Sequence, residues 1–397
     1  MTLSILKKSI KTDLILSIFK SSDKIDPAHW NTVAKGKNIY LSIEYLKALE
    51  KALQHEITFR YLLFYNEKAV PVAIAVVQFI TFIDKGFKEQ EQLCHIRNKI
   101  KGKLIAEDGI KVMTCGNSFS CGENGFMYTS DISEKDAFEN LSKALIQIQQ
   151  SEKEDQNAPV ILVKEFWPDS LSASDLLMSD GFRDFMIDVN MVMKIHSSWK
   201  TFDDYLSTMN TKFRTKAKGA FKKAKDITRV NFEENDIIKY KDEIDRLYNF
   251  VLEKAAFMFG ELNGEAFLNL KKNLKSEFLF YGYFLKDELV GFSSAFLFNG
   301  VLDANYVGIN YNVNHTYALY QLMLYDFVEL AIDKKCNELR LGRTAEEIKS
   351  AVGAKPIHMK LYIKHRNSLT NKLLKPIFGS ITPSEFEIRN PFKVNFS

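Results

Sequence analysis

"FLFYGYFLKDELVGFSSAFLF", residues 278–298, is two runs of aromatic and aliphatic residues set about a polar KDE. Runs of this length and composition around a polar turn predict a β-hairpin. Asn299-Gly300, the strongest short hairpin signal, carries the chain on into "VLDANYVGI". Residues 57–80, "ITFRYLLFYNEKAVPVAIAVVQFI", repeat the arrangement around NEK. The sequels match as well. After the first hairpin come "KVMTC", a Gly-rich loop, a helical stretch at 134–150 and "PVILVKEF". After the second come "ANYVGI", a loop, a helical stretch at 316–334 and "ELRLG". Phe138, Leu141, Ala144, Leu145 and Ile148 make the first helix amphipathic; "YALYQLMLYDFVELAI" is apolar nearly all round and predicts deep burial. The pattern predicts one α/β unit with a mixed sheet, present twice, over residues 28–195 and 200–370 with the same strand order.

Composition bounds the rest. A chain of 397 residues with a 46% hydrophobic fraction suits two or three folded domains. No apolar run reaches the ~18 residues of a membrane span. The opening "MTLSILKKSIKTDLILSIFK" is broken by charge and lacks a small-residue cleavage site, so it reads as a basic amphipathic segment over residues 1–27, not a signal peptide. A cytoplasmic protein is expected, with peripheral membrane contact left open. Cys94, Cys115, Cys121 and Cys336 are scattered and read as reduced thiols. The seven histidines show no ligand spacing, so neither a metal nor a permanently bound cofactor is expected. A net charge of +4 without a base-reading motif argues against DNA as a partner.

The positive charge is concentrated in "MNTKFRTKAKGAFKKAKD", residues 209–226, which holds seven Lys and Arg and no acid before Asp226. On one helix through residues 203–225, Phe202, Tyr205, Leu206, Met209, Phe213, Ala217, Ala220 and Ala224 share a face. Arg214, Lys218, Lys222 and Lys225 share the opposite one, flanked by Lys212, Lys216 and Lys223. A plain solvated face normally mixes both signs; this one-signed stripe suits a polyanion, whether cofactor phosphates, tRNA or anionic headgroups. Aromatics lie only on the apolar side, which disfavours base stacking.

Two further stretches stand out. In "LGRTAEEIKSAVGAKPIHMKLYIKHRN", residues 341–367, Thr344 and Glu347 have capping-box spacing, Gly353 suits a helix end, and "IHMKLYIKH" alternates as a strand. Arg343 sits at the strand-to-helix junction, where an anion could meet backbone N–H groups; a plain connection has the same pattern. "CGNSFSCGENGF", residues 115–126, has three glycines at spacings of neither a P-loop nor a dinucleotide fingerprint.

In their order, these stretches resemble the tandem-domain, FemAB-like branch of the GNAT acyltransferases. The likeness runs over about residues 28–370, from "WNTVAKGKNIYLSIEYLKALEKA" through "CGNSFSCGENGF", "VKEFWP", "DGF" and the basic stretch to "YVGIN…YALYQ", "LRLGRTAEEIKSAVGA" and "YIKHRN". The resemblance implies two tandem GNAT-like domains, residues 28–198 and 199–375, followed by a tail, 376–397. It implies transfer of an acyl group from a thioester, acyl-CoA or acyl carrier protein, to an amine acceptor such as a lipid or cell-envelope precursor. An aminoacyl-tRNA-dependent transferase and a non-catalytic GNAT-fold binding protein are the alternatives. One departure bears on the donor: "INYNVNHTYALYQ" has no glycine between Gly308 and the helix, where relatives carry a Gly-rich pyrophosphate loop. Bulky residues there disfavour CoA relative to a carrier protein or tRNA.

No Ser-His-Asp or Cys-His arrangement is legible, so direct attack by the amine is expected. Asp303 or His315 could take the amine's proton, and Tyr320 could protonate the leaving thiolate. Each has an ordinary structural reading as core or cap. Gly308, Asn310, Thr316 and Tyr317 are the candidates for holding the donor, with Arg343 and Lys349 binding its negative charge.

Overall fold

In the computed structural model, which describes residues 14–34, 36–82, 110–153, 156–186, 189–254, 261–378 and 386–396, both hairpins are present. The first half builds β1 (Ile15–Phe19), β2 (Thr58–Tyr65), β3 (Pro71–Phe82), β4 (Ile110–Cys115), β5 (Phe126–Tyr128), β6 (Val160–Phe166) and β7 (Arg183–Phe185). There follow β8 (Val189–Lys194), β9 (Ile227–Asn231), β10 (Phe278–Leu285), β11 (Glu288–Phe298), β12 (Val301–Ile309), β13 (Glu338–Arg340), β14 (Lys355–His358) and β15 (Lys360–His365). Residues 1–13, residues 379–385 of the expected tail, and Cys94 lie outside the described residues.

The duplication is visible in the sheets. One runs β1-β2-β3-β4-β6-β15-β7, with β5 beside β3; the other runs β9-β10-β11-β12-β13-β8-β14. Position by position the order is the same: three antiparallel pairings, one parallel pairing (β4 with β6, β12 with β13), then an antiparallel one. The strand after each parallel pair comes from the other half of the sequence. β8 pairs antiparallel with β13, and β15 lies between β6 and β7. The described residues accordingly divide into one unit of 14–186 and 358–378 and another of 189–254, 261–357 and 386–396. A boundary at 198/199 leaves β8 in the wrong half, because the alternation of a strand does not say which sheet will take it.

Each sheet carries its expected helix. In the first unit α1 (Glu134–Ser151) starts at Ser133, whose hydroxyl accepts the Asp136 N–H at 3.1 Å. Its apolar stripe, Phe138, Leu141, Ala144, Leu145 and Ile148, is buried on Val77, Met113, Ile161 and Val163. In the second unit the order is α2 (Phe202–Thr208), α3 (Thr211–Lys223), α4 (Lys241–Leu252), α5 (Gly264–Leu274), α6 (Tyr311–Tyr317), α7 (Leu319–Asp333) and α8 (Glu346–Ala351). Leu324, Val328 and Ala331 of α7 bury against Leu302, Ala304 and Leu339. Its few polar residues turn to one flank, where Asp326 meets Arg229 at 3.3 Å and Glu329 meets it at 3.3 Å.

Three local expectations change. The basic stretch is two helices, broken at Met209–Asn210, because the chain's last segment docks there. Met209 bridges Phe392, the Asn210 N–H donates to the Pro391 carbonyl at 2.8 Å, and its amide side chain donates to the Phe392 carbonyl at 2.9 Å. Residues 386–396 of the tail thus belong to the second unit, with Phe392 in its core. The Thr344 capping box does not form. Thr344 and Ala345 both have positive φ, 61° and 54°, and α8 begins after them with no side-chain cap. Gly353, at φ 112°, does end that helix.

Candidate active site

The two units differ where their central parallel strands end. In the second, β12 pairs with β13 only from Val301–Glu338 to Asp303–Arg340. β12 then runs on to Ile309, held on its other edge by β11 through Ala304–Ala295 and Gly308–Phe292. The chain after β13 leaves it and follows β8, with Leu341 N–H donating to Met191 carbonyl at 2.8 Å and Met191 N–H to Gly342 carbonyl at 3.0 Å. Among the described residues no strand pairs β12 on that side beyond Asp303, and a wedge opens there.

In the first unit the equivalent space is filled. β4 pairs with β6 as far as its last residue, Cys115 with Val163. The loop 116–125 then folds back over β6, and its Asn117, Ser118, Phe119, Ser120 and Asn124 are all buried. Asn117 donates to the Tyr45 hydroxyl at 2.8 Å, Ser118 N–H to Gln78 at 3.0 Å, and Gly122 N–H to Glu165 at 3.2 Å. Lys164, itself buried, donates to the Ser120 carbonyl at 3.2 Å and pairs with Glu165 at 3.3 Å. The glycines of "CGNSFSCGENGF" serve this packing: a Cβ on Gly125 would lie 2.2 Å from the Gly116 Cα. This motif is a plug.

At the mouth of the second unit's wedge, Asn310 caps α6, its side-chain oxygen accepting the N–H groups of Asn312 and Val313 at 3.1 and 3.4 Å. Asn314 in turn accepts the Tyr320 N–H at 2.8 Å, at the start of α7. Gly308 is glycine because Phe292 Cε1 lies 2.2 Å from where a Cβ would be. The Tyr320 phenol is held well above its ordinary pKa by burial, then by Tyr311 and Glu346. The neutral phenol is therefore a hydrogen-bond donor at physiological pH.

The expected site residues separate. Gly308 and Asn310 lie at the end of β12, and Tyr320 follows at the start of α7, its N–H held by Asn314. Asp303 lies at the apex, 1% exposed. Leu302 and Ala304 on either side of it belong to the core under α7, so Asp303 turns to the opposite face. His315 and Thr316 are exposed on α6, and Tyr317 is half-buried. Lys349 is buried, and its ammonium donates to the Arg343 carbonyl, so it holds the turn instead of facing a ligand. Tyr306 lies with Asp303 on the strand that the sequence marks as leading to the loop, whereas nothing in the sequence singles out Tyr311. Tyr306 packs edge-on to Tyr248 and Phe267 at 6.0 and 5.5 Å, and Tyr311 carries the Lys254 ammonium 3.4 Å from its ring centre. Among strings of aromatics, nothing local distinguishes Tyr311.

On the flank of α7, a cavity of about 240 Å³ is lined by Phe202, Asp203, Leu206, Phe221, Tyr325, Asp326 and Glu329. Asp326 accepts from the Tyr283 hydroxyl at 2.9 Å, and burial pushes its carboxyl up to about 6 despite Arg229. No helix of the described residues is long and apolar enough to cross a membrane.

No protein-family model and no curated protein sequence matches the chain. Solved structures do. The crystal structure of FemX superposes with a TM-score of 0.53 over 90% of this chain and 99% of that one, at 10% identity. A tandem GNAT protein from the clavulanic acid biosynthesis pathway, without AcCoA, gives 0.53 over 89% and 99%, at 8% identity. At such identities the likeness is one of fold.

Proposed function

With a tandem GNAT-like, FemAB-like fold as the premise, we propose that the second unit transfers an acyl group from a thioester to an amine. The observation that carries this reading is the asymmetry between the units: a parallel pair that parts beyond Asp303 in one, and a plugged equivalent in the other. An extended donor arm can lie along β12 over residues 304–309, where backbone groups line one bank of the wedge. The amine nitrogen attacks the thioester carbonyl carbon; the C–N bond forms, the C–S bond breaks, and the proton lost by the new ammonium ends on the departing thiolate. Tyr320 supplies a hydrogen bond to the departing sulfur, while Asp303, buried at the apex and turned to the opposite face, takes no part in the step.

The rim bears on which donor is used. The N–H groups of Asn312, Val313 and Tyr320 are already taken by Asn310 and Asn314. This favours a donor carried on a macromolecule over free acyl-CoA, whose pyrophosphate would need such groups. An aminoacyl-tRNA donor shares that advantage. The test is thiol release from hexadecanoyl-pantetheine, hexadecanoyl-CoA and hexadecanoyl-carrier protein with a panel of amino acids and amino lipids. Release that depends on the amine supports the reading; amine-dependent transfer from aminoacyl-tRNA alone moves it to the aminoacyltransferases, and no transfer from any donor overturns it.

A further inference from the structure

The face of α3 that points to solvent carries Lys212, Lys216, Lys218, Lys222 and Lys223, with Lys225 just beyond, all exposed. None of these lysines forms an ion pair with a described residue. The helix needs no more of this face to stay docked. Its inner side, Ala217 and Ala220 with half-buried Phe213 and Phe221, packs on the core under α7. α3 also contacts α6, and Phe213, Ala318 and Tyr320 pack on the same cluster, so the helix that carries the lysines lies beside the mouth of the wedge.

We infer that this face docks an acidic carrier protein that presents the acyl group on a phosphopantetheine arm. The inference rests on the thioester reading of the wedge and names the form in which its donor arrives. Three observations choose this partner. First, the exposed face is Lys, Thr and Gly with no apolar residue to enter a bilayer, since the helix's apolar side is spent on α7. Second, it holds one arginine, half-buried Arg214, whose guanidinium turns back to the Met209 carbonyl at 3.4 Å. A surface built for bidentate phosphate contact or base stacking would present arginines and aromatics. Spaced ammonium groups along a helix of about 20 Å suit the carboxylates of one acidic helix. Third, the amides at the rim are already capped by Asn310 and Asn314, so the affinity for the donor must come from elsewhere.

The experiment compares the full-length protein with Lys218→Glu/Lys222→Glu and with a control of equal net charge, Lys51→Glu/Lys272→Glu, both exposed elsewhere. Calorimetry against a recombinant holo-acyl carrier protein should show binding that weakens with added salt. It should fall about tenfold in the α3 variant and hold in the control. All three proteins should melt together, because substitutions at exposed positions scarcely move stability. In the transfer assay, the ratio of kcat/KM for hexadecanoyl-carrier protein to that for hexadecanoyl-pantetheine should fall by the same factor. Carrier binding that ignores the α3 charges overturns the inference. So does α3-dependent binding of transfer RNA or of anionic phosphatidylglycerol vesicles where carrier protein does not bind. Hexadecanoyl-pantetheine lacks both carrier and phosphate, so its failure to react strikes the reading of the wedge, while the calorimetry still decides this surface.

Discussion

Gly308→Ala and Gly219→Ala make the same chemical change in the second unit and should move its stability in opposite directions. At Gly308 the new Cβ would lie 2.2 and 2.5 Å from Phe292 Cε1 and Cδ1 and 2.9 Å from Leu247 Cβ. Neither neighbour can give way cheaply. The Phe292 ring stacks on Phe280 at 5.0 Å and meets Phe267 edge-on at 5.5 Å, and Leu247 Cβ is fixed to the backbone of α4. Relief must come from shifting β12 itself. Overpacking of this kind costs about 1–3 kcal/mol, and the upper end applies because the clash is with a locked ring. Alanine recovers about 0.5–1 kcal/mol through the unfolded chain, leaving a net loss of about 2 kcal/mol. For a unit of this size that is a fall in Tm of about 4–8 °C. At Gly219, in the middle of α3, a Cβ meets nothing within 4 Å. There the helix preference of alanine prevails, a gain of about 1 kcal/mol and a rise of about 2–4 °C. Differential scanning calorimetry on the full chain reads both. A Gly308→Ala protein that melts with wild type would refute the packing that positions the β12 bank of the wedge.

Other perturbations probe other parts of the molecule. Glu152→Ala strands Arg60, whose guanidinium makes a bidentate pair with Glu152 at 2.6 and 2.5 Å inside the first unit, and should cost about 3–5 kcal/mol in chemical denaturation. Asp326 has a folded pKa of about 6 against an ordinary 3.8, so the fold favours its protonated form. Its stabilising contribution is complete below the lower value and is lost as pH rises through the upper one. Melting curves should therefore show Asp326→Asn gaining on wild type as pH is raised from about 4 to about 7. Tyr320→Phe removes the phenolic donor at the wedge mouth; kcat for transfer should fall about a hundredfold with little change in KM, and an unchanged kcat would remove Tyr320 from the chemistry.

Much of this architecture is legible in the residues because hairpins advertise themselves. The runs around KDE and NEK, the Asn299-Gly300 turn and the stripe of α1 each follow from local periodicity and turn chemistry. What escapes is set by partners distant in sequence. Nothing in Val189–Lys194 says that it will pair with β13. Nothing near Met209 says that Phe392 and Pro391 will meet it and break the helix. Thr344 has the spacing of a cap, yet its backbone is left-handed and cannot serve as one. At the site, sequence singles out Tyr320, Asn310 and Gly308, which lie along the end of β12 and the start of α7. It could not tell that Lys349 would spend its charge on the Arg343 carbonyl, or that "CGNSFSCGENGF" would fill the very space its counterpart leaves open.

Hydrogen–deuterium exchange reads that difference between the units. The probe is a non-reactive thioether of hexadecanoyl-pantetheine added at saturation to the full-length protein. The wedge reading predicts slowed exchange in peptides covering residues 304–313 and no change over residues 112–125. Protection confined to residues 112–125 would put the donor in the first unit and contradict it.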